Sequence, residues 1–314
     1  MLVAAAAALG LCIVTACPQR ETAPTARTGS GSEAAAPPNS DEVRVLFDEP
    51  STYGRVIVVE KGALRCLKFA MAGGDQSCID SQEPAHIVHE YVRLLAAGLL
   101  FAPPSPRLLM VGLGGGRAAR LFLEADKKMT MDVVEINPTV IEVADEYFGV
   151  RASERLRLHA ADGRRFLERS QGTWDLILLD AFGDDFIPFH LTTREFLHGV
   201  AAHTAPGGAV VANLWTNDPP LFHAMVRTYA EVFPRLYLFR AALAGNAILV
   251  ARRGAEGPSC AALEGVASNI APRYALPFEL EGVARRCEPG SELPLADAPV
   301  LSDAAPEVYD ALRR

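Results

Sequence analysis

The sequence lacks an excess of positive charge. Thirty Lys and Arg face 38 Asp and Glu, a formal net charge of −8, and the isoelectric point is near 5.5. A general nucleic-acid binder needs a basic surface to displace phosphate counterions, so nucleic acid is excluded as a partner. Beyond the N-terminus no apolar run reaches the ~20 residues that span a bilayer, which excludes a multi-span membrane protein. None of the six cysteines sits in a Cys-x-x-Cys pair, so no zinc site and no other metal is expected. No internal repeat is visible. Apolar material, by contrast, is plentiful: 314 residues, 50% hydrophobic and 22% charged, give room for about two domains with a sizeable core.

The apolar stretch Leu2 to Ala16 is too short to span a bilayer and has the length of a signal-peptide core. It runs into Val14-Thr15-Ala16-Cys17, small residues before a cysteine, similar to the lipobox of bacterial lipoproteins. Residues 1–17 are therefore expected to be a signal peptide with Cys17 as the lipidated first mature residue. The protein would then sit in the cell envelope, touching membrane only through that lipid. No Lys or Arg precedes the apolar core, so a cytoplasmic protein with an unstructured leader is the alternative. Residues 18–41, rich in Pro, Ser, Thr, Gly and Ala, read as a disordered tether. If the chain is exported, Cys66–Cys78 and Cys260–Cys287 are plausible disulfides; lone buried thiols are the other reading.

Residues 42–82 alternate apolar and polar positions in short β-branched runs, which predicts a small antiparallel β-domain. From Pro84 the period becomes helical, and Ile87, Tyr91, Leu94, Leu95 and Leu99 mark one face of a helix to about Leu100. Continuous apolar strands then alternate with amphipathic helices. The fold class is α/β: a doubly wound, mostly parallel, seven-stranded Rossmann-like sheet over residues 83–253. A helix is expected from Thr192 to His203, and the last two strands read as an appended hairpin. Residues 254–314 form a weakly periodic tail of no assigned role.

Four motifs carry chemistry. Gly112-Leu113-Gly114-Gly115-Gly116 follows a strand and opens a helix, where glycines admit a ligand to backbone N–H groups. Gly112, Gly114 and Gly116 are the cofactor-binding candidates of that loop. Glu135 ends the next strand, 23 residues after Gly112, where an acid can accept both hydroxyls of a ribose. Asp162-Gly163 ends the third strand; Asp162 can accept from the amine of adenine or cap a helix. Asp180 ends the fourth, with Asp184 and Asp185 close behind, an acidic group suited to a cationic substrate.

Tyr53-Gly54-Arg55-Val56, His89-Glu90, the glycine loop, Val134-Glu135-Ile136-Asn137-Pro138, Asp162-Gly163-Arg164, Leu179-Asp180, Ile187-Pro188 and Pro206-Gly207-Gly208 occur in the order found in spermidine synthases. Over about residues 45–250 the chain resembles the spermidine synthase-like, polyamine aminopropyltransferase family. That resemblance implies a methyltransferase-type Rossmann fold, decarboxylated S-adenosylmethionine or S-adenosylmethionine as co-substrate, a small-molecule amine acceptor and a homodimer. It implies Glu135 on the ribose, Asp162 on the adenine amine, Asp180 receiving the amine's proton, and His89 and Asp184 lining the amine side. The chain departs from the family in carrying Gly115 where the loop has an Asp, and Arg65 where the small sheet has a Gln. Three readings remain open: an aminopropyltransferase, an S-adenosylmethionine methyltransferase whose donor carboxylate meets Arg65 and Arg117, and a non-catalytic envelope protein that binds nucleosides or amines.

Overall fold

Alternating and continuous apolar patterns separate into two sheets in this computed structural model. The structure describes residues 42–183, 186–242, 245–290 and 293–313. The leader, the tether, Cys17, Asp184 and Asp185 lie outside them. The described residues belong to one compact unit.

The first sheet is an antiparallel meander of β1 (Val43–Ser51), β2 (Gly54–Lys61), β3 (Leu64–Lys68) and β4 (Ser77–Asp80). Cys66 faces Cys78 across β3 and β4 and is bonded to it. Next comes α1, which is shorter than the sequence suggests. It covers only Glu90–Leu95 and tightens into a 3-10 turn over Ala96–Phe101. The cause is burial on all sides. Every residue from Ala96 to Phe101 is buried, and a side chain at Gly98 would meet Val211 at 2.7 Å. Packing onto the sheet, not an amphipathic stripe, sets the geometry here.

Strand and helix then alternate: β5 (Arg107–Val111), α2 (Arg117–Ala125), β6 (Thr130–Glu135), α3 (Pro138–Phe148), β7 (Leu156–Ala160), α4 (Gly163–Arg169), β8 (Trp174–Leu179), α5 (Arg194–His203), β9 (Thr204–Trp215) and α6 (Pro219–Val232). The helix expected from Thr192 begins at Arg194 because Thr193 caps it, accepting from the Phe196 amide at 3.3 Å. The chain closes with β10 (Arg235–Arg240), β11 (Asn246–Arg252), α7 (Leu263–Ile270), α8 (Leu280–Ala284), β12 (Cys287–Pro289) and α9 (Pro306–Leu312).

The second sheet has the order β12-β10-β11-β9-β8-β5-β6-β7. Strands β7, β6, β5, β8 and β9 are parallel, while β11, β10 and β12 add on antiparallel. It therefore has eight strands where seven were expected, the eighth being supplied by the tail. The extra strand is three residues long and is anchored where Cys287 bonds Cys260. Both faces are covered. One apolar core gathers Val56, Val58 and Leu67 of the small sheet with Leu108, Met110, Phe122 and Phe148. The other joins Leu109, Ile177, Val210, Phe196 and Phe222. The chain leaves β5 toward β6 on one side, and β8 lies on the other, so the order reverses between β5 and β8. Ligand crevices of α/β sheets open at the carboxyl ends of strands at such a reversal.

The tail acts as a strap on the second face. Leu301 is buried, its amide donating to Thr228 Oγ1 at 2.9 Å and its carbonyl accepting from Arg194. Beyond it, the Tyr309 hydroxyl of α9 donates to the Ile187 carbonyl, and the Arg313 guanidinium sits 3.5 Å from the centre of the Phe186 ring.

Candidate functional site

At the reversal lies a cavity of about 410 Å³, lined by Gly112, Gly114, Glu135, Asp162, Gly163, Asp180 and His89 among others. Seven side chains or loop positions singled out in sequence thus converge on one space. Backbone conformation explains the glycines. Gly112 has φ +96°, and a Cβ there would lie 2.2 Å from the Asp180 carbonyl oxygen. Only glycine lets β5 turn this close to β8. Gly116 also has positive φ, but it does not line the cavity; a side chain there would strike Val150 at 2.4 Å. Its requirement is packing.

Glu135 ties the end of β6 to the glycine loop. One oxygen accepts from the Leu113 amide and the other from the Asn137 amide, both at 2.9 Å. Burial pushes its carboxyl above the ordinary range, against the pull of those amides. Asp162 caps α4, accepting from the Arg165 amide at 2.9 Å, and its other oxygen meets His190 Nε2 at 2.8 Å. Burial raises this carboxyl too, but the Arg165 amide and His190 outweigh it, and the group ends below its usual range. Each of these oxygens keeps a second lone pair for a ligand donor.

Asp180 differs from both. Burial pushes it up to about 7, opposed only by a hydrogen bond from Asn213 Nδ2 at 2.9 Å. A carboxylate poised near neutrality is suited to taking a proton and releasing it again. His89 enters from the N-terminal cap of α1; its Nε2 is buried without a partner, and burial holds the ring below the usual histidine range.

The remaining wall comes from the small sheet and its β3–β4 loop, through Phe69, Asp75, Gln76 and Ser77. Ser77 also closes the place of the missing loop acid. A Cβ on Gly115 would sit 2.9 Å from Ser77 Oγ and 3.0 Å from the Phe148 ring. Arg65 takes no part in the cavity: it is spent on Glu60 at 2.7 Å and the Tyr147 carbonyl at 2.9 Å. The suggested pairing of Arg65 with a donor carboxylate is corrected accordingly. Arg117 borders the cavity but is 3% exposed and donates to the Ala85 carbonyl at 3.2 Å. Cys66, Asp75 and Cys78 lie within metal-binding reach of one another, yet both cysteines are in a disulfide and offer no thiolate.

Sequence reasoning missed His190, Asn213, Asn246 and Trp215, which also line the cavity. For Asn213 a signal existed: a lone amide inside the apolar run Val210-Val211-Ala212-Asn213-Leu214. His190 lies in a three-residue 3-10 turn, Phe189–Leu191, too short to show a period.

Fold and site together define a Rossmann-like α/β protein with an acid-lined cleft at its strand reversal. Comparison with known proteins narrows the class. The family model described as Spermine/spermidine synthase domain matches residues 86–243. A polyamine aminopropyltransferase of Vibrio vulnificus is 37% identical over 203 residues, 62% of this chain and 67% of that protein. One from Chromobacterium violaceum is 30% identical over 228 residues, 71% of this chain and 86% of its own. Among solved structures, the spermidine synthase of Thermotoga maritima shares the fold with a TM-score of 0.58 at 20% identity, covering 85% of this chain and 88% of that one. The chain belongs to the spermine/spermidine synthase family.

Proposed function

We propose that this chain is an aminopropyltransferase that moves an aminopropyl group from decarboxylated S-adenosylmethionine to a small amine. The observation that carries the reading is Asp180: a recessed carboxyl near neutrality, sharing one cavity with Glu135 and Asp162. The curated relatives named polyamine aminopropyltransferase support the same chemistry.

The reaction is an in-line displacement. The amine lone pair attacks the carbon beside the sulfonium, the carbon–sulfur bond breaks, and its electron pair leaves on sulfur as a neutral thioether. The proton lost by the amine passes to the Asp180 carboxylate. Glu135 would hold the ribose hydroxyls and Asp162 the adenine amine, fixing the reacting carbon in reach of the acceptor. The sulfonium is already a good leaving group, so no Lewis acid is needed in this scheme.

The test is mass spectrometry of products from purified protein given decarboxylated or intact S-adenosylmethionine with a panel of di- and polyamines. An aminopropylated amine is expected, and Asp180→Asn should lower its rate by about 10²-fold or more. Methylated amine from the intact donor alone, or no product from either, overturns the reading.

For location, the proposal is the cell envelope, anchored by lipid at Cys17. Support comes from the two disulfides, Cys66–Cys78 and Cys260–Cys287, since such bonds persist in oxidising compartments. Incorporation of labelled fatty acid that disappears in Cys17→Ser, with both bonds oxidised in cell extracts, is the expected result. An unlipidated protein in the soluble fraction sinks it.

A further inference from the structure

The acid at the end of β8 heads a chain of two amides, one on the strand beside it and one on the next strand out. Asn213 of β9 donates Nδ2 to Asp180 Oδ1 at 2.9 Å. Asn246, at the start of β11, donates Nδ2 to Asn213 Oδ1, also at 2.9 Å. Strand β9 lies beside both β8 and β11, so three successive strands each contribute one member, and all three line the cavity. Asn213 is 3% exposed, so a hydrogen bond left unmade there is costly.

Chemistry fixes the direction of this chain. In its ionised form, the one that takes the amine's proton, Asp180 only accepts, so Asn213 must then turn its nitrogen toward it. Its oxygen then faces Asn246 and needs a donor there. Turning either amide over would set oxygen against oxygen at the buried Asn213, which is costly. The bonds therefore order each other.

We propose that Asn213 and Asn246 are positioning residues, a directional two-amide brace that fixes one oxygen of Asp180 and leaves the other for the attacking amine. This rests on the reading of the site as one for alkyl transfer to an amine. Asn246 acts on the acid without touching it. The step served is the one already written: the nitrogen–carbon bond forms, the carbon–sulfur bond breaks, and the proton goes to the Asp180 oxygen that the brace leaves unbound.

Other titratable groups surround the acid. Burial raises the phenol of Tyr91 on α1, and the charge of Asp180 adds to it. His89, Glu90, Asp162 and His190 reach the same cavity from other elements. Glu135, Asp75 and Arg117 line it too; Asn213→Ala leaves all of these in place, whereas Asn246→Asp adds one charge of its own.

The experiment titrates the Asp180 carboxyl by infrared difference spectroscopy, with Asp180→Asn identifying the band, and needs no turnover. A pH profile of kcat is taken beside it. Asn213→Ala should move the midpoint upward by about one pH unit, because a donor to the charged form is lost. Asn246→Asp should do the same at a distance: a carboxylate at 246 draws the Asn213 nitrogen away from Asp180, and its shift should exceed the one it causes in the Asn213→Ala background, where only its charge acts. At pH 7 its kcat should fall about fivefold, as the ionised fraction falls, with a KM for amine changed far less, and Asn246→Ser, which keeps a donor, should restore most of it. Matching melting temperatures of the two 246 variants separate this from misfolding. If Asn246→Asp leaves the carboxyl midpoint at its wild-type value, the brace has no direction and the inference fails. If the wild-type protein yields no product while the midpoints still shift, the brace stands and the functional reading falls instead.

Discussion

The burial that suits Asp180 to the proposed proton transfer costs the fold stability. In the folded chain it keeps its proton up to about 7, whereas in an unfolded chain it ionises near 4. Between those values the unfolded state binds fewer protons, so stability declines as pH rises. Asp180→Asn should therefore melt a few degrees higher than wild type at pH 7.5 and at the same temperature near pH 4, by calorimetry. Activity has the opposite slope. The carboxylate form accepts the proton, so the rate should climb with pH through about 7, seen in a kcat profile between pH 5.5 and 8.5. Gly112 supplies a steric counterpart. Gly112→Ala pushes a methyl into the Asp180 carbonyl at a positive φ, and should cost about 3 kcal/mol of stability in denaturant titration and remove donor binding. Glu135, Asp162 and Asp180 were legible because each ends a predicted strand. The asparagines were not, since an amide inside a strand announces burial but not its partner.

At the scale of elements, the two disulfides sit in different relations to the site. Cys66–Cys78 staples β3 to β4, and the loop between those strands walls the cavity with Phe69, Asp75 and Gln76. Cys260–Cys287 secures β12 at the far edge. Paired Ser substitutions at either bridge should lower stability by about 3 kcal/mol. Calorimetric titration with the donor should separate them: affinity falls for the first pair and holds for the second. The parallel strands were legible because strands buried on both faces are apolar throughout. The same all-round burial made Ala96–Phe101 resemble more helix than it is. Strand β12 left no trace in the sequence, for three residues in a polar tail become a strand only when β10 and a disulfide hold them there.

Across the molecule, the tail passes over one covered face and ends against the segment that follows Asp180. Tyr309 and Arg313 of that end touch Ile187 and Phe186. Removing residues 301–314 should loosen that segment: hydrogen exchange at 186–191 should quicken, and KM for the amine should rise more than KM for the donor. Exchange unchanged at 186–191 would refute the link. A practical warning attaches to the same strap. A label or linker attached on α9 hangs its mass on the segment that follows Asp180, so constants measured from such a derivative would describe the attachment as much as the protein.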